Sequence, residues 1–264
     1  MTNFFVMGPC SVENEENYIN SLERLKPIME GREWYFKASF DKANRTSLHG
    51  GRGPGLEDSI KLFEQVKKNH PNIRLTTDIH EPWQAEKLAG VIDAVQIPAF
   101  LCRQTDLIVA AAQNFNVVNI KKGQWLGPNN LVISVDKVRE TNPNAEVWLT
   151  DRGTMHGYHR LVVDVDIVDR LKKYYDKVVI DCTHSTQRSR DVYGVQGRRE
   201  VAERFFVSAP IFHYDGIFAE THPNPETSVS DGDCQIRMER ISGLLDRFDS
   251  VKCAMKGWKD ENLC

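Results

Sequence analysis

No apolar run in this chain approaches the ~20 residues that a membrane-spanning helix needs. The first residues, MTNFFVMGPCSVENEENY, lack both a basic leader and a long apolar stretch. A cytoplasmic protein with no membrane partner is therefore expected. The six cysteines (Cys10, Cys102, Cys182, Cys234, Cys253 and Cys264) form no CxxC pair, which fits a reducing compartment better than a disulfide framework. Neither a GxGxxG fingerprint nor a GxxxxGK[ST] phosphate loop is present, so no nucleotide cofactor is expected. No GxSxG elbow marks a nucleophilic serine. Nor is there an excess of positive charge. With 34 Lys+Arg against 37 Asp+Glu the net charge is -3, which offers no general attraction to nucleic acid. An anion site must be built locally.

What is present is enough apolar material for a large core: 41% hydrophobic residues in a chain of 264. Short apolar or β-branched runs closed by turn residues predict strands at Phe4–Met7, Trp34–Ala38, Arg74–Thr77, Ala94–Ile97, Val117–Ile120, Val147–Leu149, Val178–Ile180 and Gly216–Ala219. Between them lie stretches with helical spacing. In one, Leu56, Ile60, Phe63 and Val66 share a face; others surround residues 14–29, 83–90, 105–114, 130–140, 163–174, 198–206 and 235–249. Eight βα units without a long linker predict a TIM (β/α)8 barrel, a single domain over residues 1–264. An open doubly wound sheet is the competing layout. The barrel is favoured because reactive side chains gather where the strands end, the face on which barrels carry their sites.

Those strand ends supply two candidate constellations. Lys37, Lys42, Arg45, Lys121 and Arg152 would converge on one mouth of the barrel, a ring of cations suited to a phosphate or carboxylate ligand. Taken singly, each reads more readily as a solvated surface cation; it is as a set on one rim that they point to an anion. Cys10, His184, Glu220 and Asp231 offer a thiolate, an imidazole and two carboxylates from the first, seventh and eighth strands and the loop beyond. Such a set suits Fe²⁺, Zn²⁺, Mn²⁺ or Co²⁺; a buried thiol and a capping carboxylate are the plainer roles. His80, His156, His159 and His222 also lie near strand ends and compete for a ligand role, whereas His70 reads as a helix cap. The run His49–Gly55 precedes a helix and is either a phosphate cradle or a mobile loop.

Several motifs carry a resemblance that covers nearly the whole chain. They are Gly8-Pro9-Cys10-Ser11, Lys37-Ala38-Ser39-Phe40-Asp41-Lys42-Ala43-Asn44-Arg45, Thr77-Asp78-Ile79-His80-Glu81, Gln96-Ile97-Pro98-Ala99-Phe100-Leu101-Cys102-Arg103, Asn119-Ile120-Lys121-Lys122-Gly123-Gln124, Asp151-Arg152-Gly153-Thr154, Asp181-Cys182-Thr183-His184-Ser185 and Glu220-Thr221-His222-Pro223-Asn224-Pro225. In this order they closely resemble the 3-deoxy-D-manno-octulosonate 8-phosphate synthase family. The resemblance implies a barrel, usually a homotetramer, that condenses phosphoenolpyruvate with D-arabinose 5-phosphate and releases inorganic phosphate. A sister enzyme using erythrose 4-phosphate has Lys-Pro-Arg-Thr where this chain has Lys42-Ala43-Asn44-Arg45, which favours the five-carbon sugar.

The family has a metal-independent form with Asn at the position of Cys10 and a metal-dependent form with Cys. The resemblance therefore implies one divalent ion, held by Cys10, His184, Glu220 and Asp231. It also implies that Lys37, Ser39, Lys42, Gln96, Ala99, Lys121, Arg152 and His184 line the phosphoenolpyruvate pocket. Asn44, Arg45 and Thr46 would hold the sugar and its phosphate, with Phe100 and Arg103 reaching in from a neighbouring subunit. Lys42 is the candidate for polarising the aldehyde, and Asp78 for orienting a ligand or water. Thr46 stands where the family usually has Ser, and His156, His159, Arg160, the stretch Arg188–Tyr193 and Gly50–Gly51 depart from its loops. Loops tune substrates, so a different aldose phosphate is the alternative within this chemistry. A barrel that binds sugar phosphate without turnover is the alternative outside it.

Overall fold

Eight parallel strands form where the apolar runs predict them: β1 (Phe4–Gly8), β2 (Glu33–Lys37), β3 (Arg74–Asp78), β4 (Ala94–Ile97), β5 (Val117–Lys121), β6 (Glu146–Asp151), β7 (Lys177–Asp181) and β8 (Gly216–His222). The computed structural model describes residues 3–45, 48–189 and 195–256. Each strand pairs with the next, and β1 pairs with β8 from Phe4↔Gly216 to Gly8↔Glu220. That last pairing closes the sheet into a TIM barrel and excludes the open layout.

Helices α1 (Glu15–Ile28), α2 (Leu56–Asn69), α3 (Pro82–Leu88), α4 (Thr105–Asn114), α5 (Val132–Thr141), α6 (Ile167–Leu171), α7 (Arg199–Ser208) and α8 (Ile241–Met255) follow the strands. Their starts are legible locally. In α3, Pro82 sits at the first turn, and Glu81 and Gln84 cap each other's backbone reciprocally. Two expectations need correction. The helix expected over 163–174 is regular only over Ile167–Leu171. The one expected over 235–249 starts at Ile241, because Ile236–Arg237 instead extends the sheet beside Thr221 and His222 of β8. There a chain neighbour supplied the hydrogen bonds that a helical turn would have used.

Side chains alternate across each strand, and this period of two sets what the barrel interior contains. Phe4, Val6, Tyr35, Ala94, Trp148, Val179 and Phe218 point inward and form a dry floor. The Trp148 ring lies 4.4 Å from Phe4 and 5.0 Å from Tyr35. Two residues further along four of these strands the same inward face carries Lys37, Gln96, Asp181 and Glu220. Residues of opposite parity, such as Phe36, pack outward against the helices, where its ring lies 4.9 Å from Tyr18 of α1. The polar groups thus stand on an apolar floor at the C-terminal mouth.

Candidate active site

The strand ends open into a cavity of about 1030 Å³. Lys37, Ser39, Lys42, Gln96, Ala99, Lys121, Arg152 and His184 all line it, as do Asn44, Arg45, Asp78 and Phe100. Arg103 does not; it is exposed, and its carbonyl accepts a bond from Lys137. Phe100 lies on the rim of this chain's own cavity, stacked 5.8 Å from Trp125. Thr46 lies outside the described residues, as do Arg190 to Tyr193 of the altered loop after His184.

One wall gathers the acidic and sulfur groups. Cys10 follows β1 at a point where β1 and β2 approach so closely that a Cβ on Gly8 would lie 2.2 Å from the Lys37 carbonyl oxygen. The fully buried Cys10 thiol donates to Asp231 Oδ2 at 3.4 Å. Ligand atoms of Cys10, Glu220 and Asp231 lie within 4.8 Å of one another. His184 Nε2 stands 3.6 Å from Glu220 and 4.0 Å from Asp231. Its Nδ1 is held 2.8 Å from Asp181 Oδ2, which turns Nε2 toward the carboxylates. Asp231 reaches the group with φ at 52°, a left-handed conformation that Asp tolerates better than most residues.

The electrostatics of this wall are mixed. Burial pushes the Cys10 thiol well above its ordinary range, and the Glu220 carboxylate adds to the rise. Burial also opposes ionisation of Glu220, but Lys37, His184, Lys42 and Lys121 outweigh it and hold that carboxyl below its usual range. Asp231 is likewise lowered, with His184 overcoming the cost of burial. Glu220 Oε2 is nevertheless buried with no hydrogen-bond partner among the described residues. An orphaned anionic oxygen inside such a cluster is an acceptor awaiting a cation.

Cations interleave with these groups. Lys37 Nζ is fixed between Glu220 Oε1 at 2.8 Å and the Cys10 carbonyl at 2.9 Å. Lys121 Nζ lies 2.7 Å from Asp181 and 3.6 Å above the Phe218 ring. Arg152 donates through Nη2 to Gln187 Oε1 at 2.5 Å. Burial pulls Lys121 and Arg152 below their ordinary values, as desolvation of a cation must. Lys42 bonds Ser39 Oγ at 3.2 Å, and burial is outweighed there by Cys10, Glu220, Asp78 and Asp231, which push it up. The Nε groups of Arg45 and Arg152 are buried with no hydrogen-bond partner among the described residues. Among partly buried cations of this kind an anion binds more strongly than in bulk solvent.

Of the competing histidines only His80 lines the cavity among the described residues, and it is engaged by Asp78. His80 Nε2 pairs with Asp78 Oδ2 at 3.1 Å, His222 faces Glu13 at 3.5 Å, and His156 and His159 are exposed. His70 ends α2, as expected. The cradle reading of His49–Gly55 fails, since none of those residues lines the cavity. Gly53, at φ 104°, instead packs where a Cβ would lie 2.8 Å from the Phe40 carbonyl oxygen. Three residues without a role in the sequence reading help to build the site: Asp181, Gln187 and Ser230. Asp181 was findable from its place three residues before His184; Gln187 and Ser230 carried no local signal.

Residues 2–256 match the family model described as the DAHP synthetase I family. The chain is 42% identical over 254 residues to the 2-dehydro-3-deoxyphosphooctonate aldolase of Geotalea uraniireducens, covering 95% of this chain and 93% of the relative. The enzyme of that name from Fusobacterium nucleatum is 38% identical over 258 residues, covering 96% and 91%. The one from Helicobacter hepaticus is 39% identical over 262 residues, covering 93% and 95%. With a matching model and relatives over nearly its full length, this chain belongs to the DAHP synthetase I family.

Proposed function

We propose that this protein condenses phosphoenolpyruvate with D-arabinose 5-phosphate and water, giving 3-deoxy-D-manno-octulosonate 8-phosphate and inorganic phosphate. The observation that carries the reading is the meeting, in one cavity, of buried cations with a Cys10–Glu220–Asp231 cluster faced by His184. The names of the relatives denote this activity.

Cys10, His184, Glu220 and Asp231 fit one divalent ion of the Fe, Zn, Mn or Co class. Ligands around such an ion at bonds of about 2.0–2.3 Å stand roughly 3.5 Å apart, comparable with the 3.4, 3.6 and 4.0 Å separations here. When bound, the ion supplies Lewis-acid polarisation and lowers the pKa of an attached water. Lys37, Lys121 and Arg152 bind the phosphate and carboxylate of phosphoenolpyruvate, with Ser39, Gln96 and Ala99 shaping the pocket. Asn44, Arg45 and Thr46 hold the sugar phosphate. C3 of phosphoenolpyruvate attacks the aldehyde carbon while the Lys42 ammonium stabilises the forming alkoxide. Water adds at C2, oriented by Asp78, whose Oδ1 is buried with no hydrogen-bond partner among the described residues. The tetrahedral hemiketal phosphate then collapses by C–O cleavage and expels phosphate. A homotetramer in which Arg103 serves a neighbouring cavity completes the reading and agrees with the exposure of Arg103, whereas Phe100 lies on the rim of its own chain's cavity.

The test is phosphate release from phosphoenolpyruvate with arabinose 5-phosphate, ribose 5-phosphate or erythrose 4-phosphate, each with and without chelator. Turnover on the arabinose compound that chelator abolishes is expected. Turnover on another sugar alone moves the specificity to the altered loops. No turnover on any sugar by metal-loaded protein supports the non-catalytic alternative.

A further inference from the structure

One hydroxyl lies between the sugar-phosphate end of the cavity and the metal-ligand cluster. Arg45 Nη1 donates to Ser230 Oγ at 2.6 Å, and Ser230 Oγ donates to Asp231 Oδ2 at 2.9 Å. The same Oδ2 also receives the Cys10 thiol. Ser230 is only 4% exposed, so water does not substitute for either bond. Arg45 is half-engaged: Nη2 bonds the Val229 carbonyl at 3.1 Å, while its buried Nε has no hydrogen-bond partner among the described residues.

The loop does not need this hydroxyl to stay in place. Glu13 Oε1 accepts the Val229 N–H at 3.0 Å and the Ser228 hydroxyl at 2.8 Å. The buried Gln235 amide donates to the Ser230 carbonyl at 2.9 Å and to Ser228 Oγ at 2.7 Å. The Ser230 side chain is therefore spare as an anchor and available as a relay.

We infer that Ser230 is a positioning residue that couples phosphate occupancy at Arg45 to the metal affinity of the Asp231 cluster; this rests on the function proposed above. A serine hydroxyl has one proton, and here it goes to Asp231. Donation from the guanidinium polarises that O–H and strengthens its hold on the Asp231 oxygen, because linked hydrogen bonds reinforce one another. An incoming phosphate draws off the Arg45 donors, the Ser230 bond weakens, and Asp231 becomes a better metal ligand. Linkage requires the reverse as well: bound metal tightens the sugar phosphate by the same factor.

The experiment measures Co²⁺ affinity by competition with a chromophoric chelator, with and without saturating D-arabinose 5-phosphate. For the unaltered protein the sugar phosphate should lower the Co²⁺ Kd by about five-fold or more. Ser230→Ala, and Ser230→Cys with its weakly bonding sulfur, should bind Co²⁺ with less than a roughly two-fold shift. Ser230→Thr, which keeps the hydroxyl, should restore the shift. A shift that survives in full in the alanine and cysteine variants makes the coupling a through-space effect and overturns the relay. Equal loss of Co²⁺ affinity with and without sugar makes Ser230 merely structural and also overturns it. If the unaltered protein binds no Co²⁺, or no sugar phosphate by calorimetry, the underlying function has failed rather than the relay alone.

Discussion

His184 is aimed by Asp181: the carboxylate three residues upstream holds Nδ1 at 2.8 Å, so that Nε2 faces Glu220 and Asp231. The same Asp181 oxygen lies 2.7 Å from Lys121. One buried carboxylate therefore orients a metal-ligand candidate and a proposed substrate-binding cation together. Burial resists its ionisation, but His184, Lys121 and Arg152 hold it well below its usual range.

Asp181→Asn should accordingly weaken metal binding by about 10–100-fold, the effect of losing a carboxylate that orients a ligating imidazole. Competition with a chromophoric chelator measures this. The KM for phosphoenolpyruvate should rise in the same variant, because Lys121 loses its counter-ion. An unchanged metal affinity would remove Asp181 from the site's support.

Removal of metal should abolish turnover. Prolonged dialysis against a strong chelator should leave folded but inactive protein, and added Mn²⁺, Co²⁺ or Fe²⁺ should restore phosphate release. Circular dichroism checks that the fold persists. Full activity in a sample shown by elemental analysis to be metal-free would reject the four-ligand assignment.

Arg45→Ala should act on one substrate only. A charge-assisted hydrogen bond contributes about 1.5–3 kcal/mol, so the KM for the sugar phosphate should rise about 10- to 100-fold. The KM for phosphoenolpyruvate should stay within about two-fold, because its proposed cations, Lys37, Lys121 and Arg152, are untouched. Equal rises for both substrates would contradict the division of the cavity.

Glu13 makes a pH prediction. Burial raises its carboxyl, but His222, the Val229 N–H and Ser228 outweigh that and lower it to about 2 from an ordinary 4.5. A folded pKa below the unfolded one adds stability that is fully present above about pH 4.5 and is lost as pH falls toward 2. Glu13→Gln should therefore melt at lower temperature than the unaltered protein at pH 7, with the gap closing between pH 4.5 and 2. Melting curves across that range decide it; a gap independent of pH would mean that Glu13 acts by shape alone.

The barrel floor predicts a stability loss. Trp148 is 2% exposed and contacts both Phe4 and Tyr35 through its ring. Trp148→Ala should cost about 3–5 kcal/mol, from lost burial and the cavity left behind. For a domain of this size that lowers Tm by roughly 6–20 °C. A fall of only a degree or two would show that the floor refills.

The eight strands, and what each carries inward, were legible from local patterning. Once Tyr35 or Phe218 faces the lumen, the period of two obliges Lys37 or Glu220 to face it as well. The sequence also displayed the donor types of Cys10, His184, Glu220 and Asp231, although spacing alone left a buried thiol and a capping carboxylate as open readings. Closure of the sheet was not legible in this way, since pairing of β1 with β8 is a long-range event that no local pattern encodes. Closure is what brings Cys10 within 3.4 Å of Asp231 across 221 residues of chain. It also separated His184, turned inward by Asp181, from His80 and His222, which face carboxylates of their own. The Ser230 link belongs to the same class. Ser230 itself carries no signal in the sequence, and its relation to Arg45 and Asp231 exists only where the loop after β8 is folded back over Arg45 and held there by Glu13 and Gln235.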